Sequence, residues 1–407
     1  MYLSCYDQLG SRPFDFDAQG MVALLLFLLW TTLVCAAPVR QSIFNAADFG
    51  AVGDGRADNS KAFQRAWTAA CTSAQPSPVV LVPSPGTFLL RRVAFSGPCR
   101  AKRIHFQVAG NIVAPYGQWT SDLTSAWITF IRINGLTIHG SGKIDGQGSK
   151  WWACRINHML AVAFCDGFHL EGVHFANSPA KHVTVFRSQW VMINGISVSS
   201  PGDSPNTDGL LIQESKHVQV ISSNFASGDD CVAIGTGSSD VNVTSITCGP
   251  GHGVSIGSLG IGGTRAEVER VRVTSSQFFN TMNGVRIKTW PGGSGFARAI
   301  SFDNNGFTSV VNPVIIDQYY CGGARSCPNK TSAVEVSDIR YAGLRGTATG
   351  DHAIKLECSR EVPCREIVLD NVVINSAVRG KKASSLCYNA HGWTRNTVVP
   401  EVPCLAA

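Results

Sequence analysis

The chain has 407 residues, a length that ordinarily suggests two or three domains, yet no Pro/Ser-rich linker and no abrupt change of composition divides it after residue 45. Lys plus Arg number 34 against 28 Asp plus Glu, a positive balance that favours a polyanionic partner. No run of basic residues exceeds two, which argues against nucleic acid as that partner.

Val22 to Ala37 is apolar, with Leu24-Leu-Leu-Phe-Leu-Leu29 at its centre, and it ends in small residues. That is the core of a signal peptide and too short for a comfortable membrane span. Asp7, Asp15 and Asp17 sit where a basic leading region is expected. Either translation begins at Met21, or residues 1–20 are an upstream extension. A buried core helix is the competing reading of the apolar run. Cleavage near Ala36 or Ala37 leaves a secreted, extracellular domain over 38–407, without a membrane attachment. Removing residues 1–36 leaves 33 basic against 25 acidic residues, or +8. For a secreted chain, an acidic polysaccharide fits that charge best.

Phe63, Trp67, Ala70 and Cys71 are spaced for one face of a helix over 59–72, which Asp58, Asn59 or Ser60 could cap. Downstream, three segments share one interval: Asp208-Gly-Leu-Leu-Ile212, Asp230-Cys-Val-Ala-Ile234 and His252-Gly-Val-Ser-Ile256. Their terminal Ile residues are 22 apart. Gly284-Val-Arg-Ile287, Pro313-Val-Ile-Ile316 and Ala353-Ile-Lys-Leu356 continue the pattern at longer intervals. A second alternating run precedes each: Val191-Met-Ile193, Val218-Gln-Val220, Val241-Asn-Val243, Val271-Arg-Val273, Ile300-Ser-Phe302 and Ile367-Val-Leu369. Alternation and β-branching indicate strands; Gly, Asn, Asp and Ser between them supply turns. A fixed interval with one strand of each kind per copy predicts an all-β solenoid, a right-handed parallel β-helix capped by the N-terminal helix. A β-sandwich would explain the turns but not the register. Stacking places Asp208, Asp230 and His252 in a ladder with Asp229 beside it. Three carboxylates and an imidazole on one rigid face point to acid/base chemistry.

Fourteen cysteines agree with an oxidising compartment. Proximity in sequence suggests Cys71–Cys99, Cys154–Cys165, Cys231–Cys248, Cys321–Cys327, Cys358–Cys364 and Cys387–Cys404. The third would tie the turn at Asp230 to the next coil, worth roughly 3 kcal/mol in a chain-entropy account. No zinc-type CxxC pair is present. Asn242-Val-Thr and Asn329-Lys-Thr are glycosylation sequons suited to a secreted surface.

Asn45-Ala-Ala-Asp-Phe-Gly-Ala-Val-Gly-Asp-Gly55, Ser204-Pro-Asn-Thr-Asp208, Gly228-Asp-Asp230, Gly251-His-Gly253 and Arg286-Ile-Lys288, in this order, resemble the polygalacturonase family of glycoside hydrolases, its plant members above all. The resemblance covers about residues 42–404 and implies a right-handed parallel β-helix. It also implies hydrolysis of α-1,4 bonds between galacturonates in pectin, with inversion and without a metal or other cofactor. It makes Asp229 the general acid, Asp208 and Asp230 the pair that holds and deprotonates water, and His252 the support of the acid. Asn206 and Tyr320 are implied sugar contacts, and Arg286 with Lys288 a fork for a galacturonate carboxylate. Leu211 departs from the family, which commonly has histidine there. A monomer acting on pectin in the cell wall follows. Two other readings compete: a calcium-dependent enzyme like pectate lyase, and a catalytically silent pectin-binding wall protein.

Overall fold

The computed structural model describes residues 42–116, 126–153, 158–322 and 330–406. The expected leader and its cleavage site lie outside them. Ser42–Ala407 form one compact unit. Among the described residues no helix is long and apolar enough to cross a membrane.

The chain winds as a right-handed parallel β-helix. One strand from each successive coil enters an eleven-stranded sheet that begins at Val93–Ser96 and ends at Ser384–Tyr388. Every pairing within it is parallel, so neighbouring coils repeat at about 4.8 Å. A 24-stranded sheet forms the remaining walls. The expected register holds: Ile212 pairs with Ile234, Ile234 with Ile256, Ile256 with Ile287, Ile287 with Ile316 and Ile316 with Leu356. All six are fully buried. Because strand side chains alternate, the residue on either side of each must face outward into a groove. The second row behaves the same way, from Val191 and Ile193 to Ile367 and Leu369. It includes one further coil, Ile339-Arg-Tyr341, between Ile300 and Ile367. Asn242 lies on this second row, half-buried, whereas Asn329 is outside the described residues.

The N-terminal end is closed by the helix Ser60–Thr72. Asn59 stands at the cap position, but its amide is spent on Val52 and Ala57. Asp58 does the capping work instead, accepting from the Ser60 N–H at 3.0 Å and its hydroxyl at 2.6 Å. Phe63, Trp67, Ala70 and Cys71 all face inward. Trp67 lies across Phe95 and Phe130, with centroids 5.3 and 5.6 Å away, and donates Nε1–H to the Ser96 carbonyl at 3.1 Å.

Four expected disulfides form: Cys71–Cys99, Cys231–Cys248, Cys358–Cys364 and Cys387–Cys404. Cys321 is disulfide-bonded, its expected partner Cys327 lying outside the described residues. The Cys154–Cys165 pairing is corrected: Cys165 is a free, buried thiol. Its Sγ is turned toward the Phe130 and Ala163 carbonyls, and burial pushes the thiol up to about 11. Cys154 is outside the described residues.

The helix closes the coil edges through Trp67, through Phe63 against Phe88 and Phe106, and through the Cys71–Cys99 bridge. Trp67→Ala is expected to cost about 3–5 kcal/mol in urea unfolding. Unchanged unfolding would show that the helix rides on the first coil without sealing it.

Candidate active site

The ladder of titratable residues is longer than the 22-residue interval reveals. Val183 pairs with Leu210, Leu210 with Val232 and Val232 with Val254, and a titratable residue stands two positions before each. Lys181, Asp208, Asp230 and His252 therefore occupy successive rungs. The backbone bonds agree, His182 N–H donating to the Asp208 carbonyl at 2.8 Å and Gly209 N–H to that of Asp230 at 2.9 Å. Lys181 was missed because its coil is longer, so the fixed interval steps past it.

Two turns carry the acids. The Gly228 N–H donates to Thr207 Oγ1 at 2.9 Å, bonding the Ser204–Asp208 segment to the Gly228–Asp230 segment. A Cβ at Gly228 would stand 1.9 Å from the Ser204 carbonyl oxygen, so only glycine lets the turns approach this closely. Cys231–Cys248 anchors the residue that follows Asp230. His182, fully buried, clamps the other side: Nε2 meets Ser200 Oγ at 2.8 Å and Nδ1 the Asp208 carbonyl at 3.0 Å. Burial lowers its pKa to about 4, which keeps the ring neutral as a structural group.

The three carboxylates have different surroundings. Asp230 is almost wholly enclosed. Its Oδ1 accepts from Arg286 Nη2 at 2.6 Å and from Ser255 Oγ at 2.8 Å, and its Oδ2 from Lys288 Nζ at 2.7 Å. Arg286 Nε donates to Ser255 Oγ at 2.9 Å, completing the cage. Burial alone would raise the Asp230 pKa; Lys288 and then Arg286 reverse this and hold it well below the usual carboxylate range. Asp208 goes the other way. Burial pushes its carboxyl up, Asp229 and Asp230 add to the shift, and Lys181 only partly opposes it. Lys181 Nζ lies 3.3 Å from Asp208 Oδ1, an ion pair without hydrogen-bond alignment, so that oxygen has no hydrogen-bond donor. Asp229 is more open. Its Oδ1 accepts the Asp230 N–H at 2.8 Å, and His252 Nδ1 lies 3.0 Å from the same oxygen.

These groups open onto a cavity of about 270 Å3, with Lys181, Asn206, Asp208, Asp229, Lys288 and Tyr320 among its lining. Tyr320 belongs to the site: Lys288 Nζ stands 5.2 Å above its ring, and Trp290 packs edge-on at 5.6 Å. Tyr319 points elsewhere, its hydroxyl accepting from the Arg360 N–H. Leu211 lines the cavity floor. Arg286 and Lys288 do converge on one face, as their spacing requires. Their fork, expected to grip a sugar carboxylate, is closed on Asp230.

Asp229, Asp230 and His252 bring donor atoms within 4.8 Å of one another and form the candidate metal set among the described residues. Its chemistry suits a divalent cation poorly. Both Asp230 oxygens already accept from cations, whose charges would repel a metal ion, and calcium prefers all-oxygen ligands.

A parallel β-helix with a carboxylate cluster in a surface groove defines a scaffold suited to acid/base chemistry. Residues 71–399 match the glycosyl hydrolases family 28. A polygalacturonase of Prunus persica is 41% identical over 92% of this chain and 97% of its own length. The polygalacturonase QRT2 of Arabidopsis thaliana is 39% identical over 88% and 83%. Two solved structures share the fold at lower identity. The exopolygalacturonase of Thermotoga maritima has a TM-score of 0.72 and 21% identity over 86% of this chain and 90% of its own. The endo-xylogalacturonan hydrolase of Aspergillus tubingensis has 0.75 and 22%, over 88% and 99%. The chain belongs to glycosyl hydrolase family 28 and is a glycoside hydrolase.

The raised Asp208 pKa has a stability consequence. Its folded value exceeds its unfolded value of ~3.9, so ionising it costs stability as pH rises from there through the folded value. Asp208→Asn, which cannot ionise, should melt at a higher temperature than wild type at pH 7 and lose that advantage below about pH 4. An equal melting difference at both pH values would remove charge as the cause.

Proposed function

We propose that this protein hydrolyses α-1,4-galacturonosidic bonds of polygalacturonate with inversion at the anomeric carbon. The observation that carries the reading is the Asp230 carboxylate, caged by Arg286 and Lys288 and set beside two further carboxyls in one groove. Inverting hydrolysis needs a proton for the leaving oxygen and an ionised carboxylate for water. Asp229, open to the groove and backed by His252, delivers the proton. Asp230, caged by Arg286 and Lys288, keeps its charge, and with Asp208 holds and deprotonates the water. Asp229 and Asp230 each bring an oxygen within 4.8 Å of the other, closer than the usual 6.5–9.5 Å between the carboxyl groups of inverting enzymes. The water is accordingly placed by Asp208 and Asp230 from two adjacent coils. Asn206 and Tyr320 contact the sugar, and the cations around Asp230 favour a polyanion. A polygalacturonate substrate would put the protein outside the cell, in the wall, in line with the leader expected at Val22 to Ala37 and with its disulfides.

The cage around Asp230 counts against a calcium-dependent lyase, and the assembled acid cluster counts against a silent binding protein. Polygalacturonate incubated with a chelator should release reducing ends without gaining ultraviolet absorbance. Chelator-sensitive release with rising absorbance would instead establish elimination. Asp229→Asn should lower kcat by ~10²–10⁴-fold with binding largely retained. Wild-type turnover in that variant, correctly folded, would remove Asp229 as the acid.

The protons belong to the cluster as a whole. The raised proton affinity of Asp208 disables the water pair as pH falls. The acidic limb of kcat/KM should therefore lie above the ordinary Asp value of ~3.9. A limb below that value would show that Asp208 ionises freely in the working enzyme.

A further inference from the structure

Three cations surround the acid cluster, and they are not equivalent. Lys288 is 8% exposed and Arg286 10%, and both donate short hydrogen bonds to Asp230. Lys181 is 24% exposed, and its contact with Asp208 is a 3.3 Å ion pair without hydrogen-bond alignment. An ammonium group has three donors. Lys181 spends one of them at most on Asp208 and lines the groove, whereas the Arg286 and Lys288 donors that reach Asp230 are committed.

Its position is built. The Lys181 carbonyl accepts from Ser178 Oγ at 2.9 Å and from the Met159 N–H at 2.8 Å. The next residue, His182, is bonded to the Asp208 backbone through both its N–H and its ring. On the rung before it lies His158, whose Nδ1 is 2.7 Å from Thr184 Oγ1. Burial lowers the His158 pKa to about 4, so at the working pH it sets no second positive charge beside the lysine.

Of the three cations Lys181 is the most exposed, and a bound uronate would bring it a negative charge.

We infer that Lys181 forms a carboxylate-binding subsite, taking the uronate of the galacturonate unit that lies beside Asp208 on the N-terminal side of the acid cluster. The inference rests on the hydrolytic reading above. It adds that recognition of substrate charge at this end of the groove falls to Lys181, a residue outside the Arg-x-Lys pair. When the uronate binds, Lys181 bridges it and Asp208, so substrate binding also draws the lysine toward hydrogen-bond geometry.

The test compares wild type, Lys181→Met and Lys181→Arg on polygalacturonate and on highly methyl-esterified pectin, with KM and kcat measured separately. KM does not depend on the folded fraction, so partial misfolding cannot imitate the result. Lys181→Met should raise KM on polygalacturonate about tenfold or more, as expected for one charge-assisted hydrogen bond. KM on the ester should change little, so the preference for the free acid shrinks, and Lys181→Arg should restore much of it. An unchanged KM ratio between the two substrates overturns the subsite. A fall in kcat with a shifted acidic limb and unchanged KM also overturns it, because Lys181 then acts only as the counter-ion of Asp208. Wild type that releases no reducing ends from polygalacturonate refutes the hydrolytic reading itself, a result distinct from both.

Discussion

The parallel register of the eleven-stranded sheet is the constraint on which the groove depends. Once Ile212, Ile234, Ile256 and Ile287 are stacked in the core, the outward residues have no freedom of placement. Ala233, Ser255 and Arg286 become neighbours on one row because their inward partners are neighbours on another. A slip of one residue would turn every apolar side chain outward, so the buried column defends the geometry of the outward one. Rigidity matters here because Lys181, Asp208, the Asp229-Asp230 pair and Arg286 with Lys288 come from different coils and meet within a few ångströms. The two turns add a second lock, since the Gly228 contact with Ser204 leaves no space for a side chain that would part them.

Electrostatics then divides the labour among identical side chains. Buried carboxylates ionise at a cost unless cations or donors compensate them. Asp230 has two cations and a hydroxyl; Asp208 has one loosely aligned lysine; Asp229 has solvent, a backbone N–H and His252. The gradient across the cluster follows from how many partners each receives. The cage around Asp230 also explains why Arg286 and Lys288 are so deeply buried. A cation meant only for substrate would waste its desolvation when the groove is empty, whereas these two are compensated at all times.

Most of this architecture was readable in the chain. The apolar period exposed the strands, and the 22-residue interval aligned Asp208, Asp230 and His252. The interval failed where coils lengthen. Lys181 lies one rung before Asp208 but 27 residues upstream, and Ile339-Arg-Tyr341 sits between runs that look consecutive. The direction of Arg286 and Lys288 was legible from their spacing. Their partner was not, because a carboxylate one coil away competes with any sugar for the same donors, and spacing along one strand carries no information about the next. Cys165 shows the same limit. Nearness in sequence suggested a bridge to Cys154, but the turn aims its sulfur into the core.

The same reasoning bears on Leu211. It occupies the outward row between Thr184 and Ala233, on the floor of the cavity beside Asp208. A histidine there would add a titratable donor next to a carboxyl that already has few. Leucine adds burial without a donor, and burial is the largest influence raising the Asp208 pKa. Lys181 is the cation nearest to countering that effect, since it is bound directly to Asp208 while the other two are turned to Asp230. An apolar floor and a lysine one rung away thus act on the same carboxyl with opposite sign.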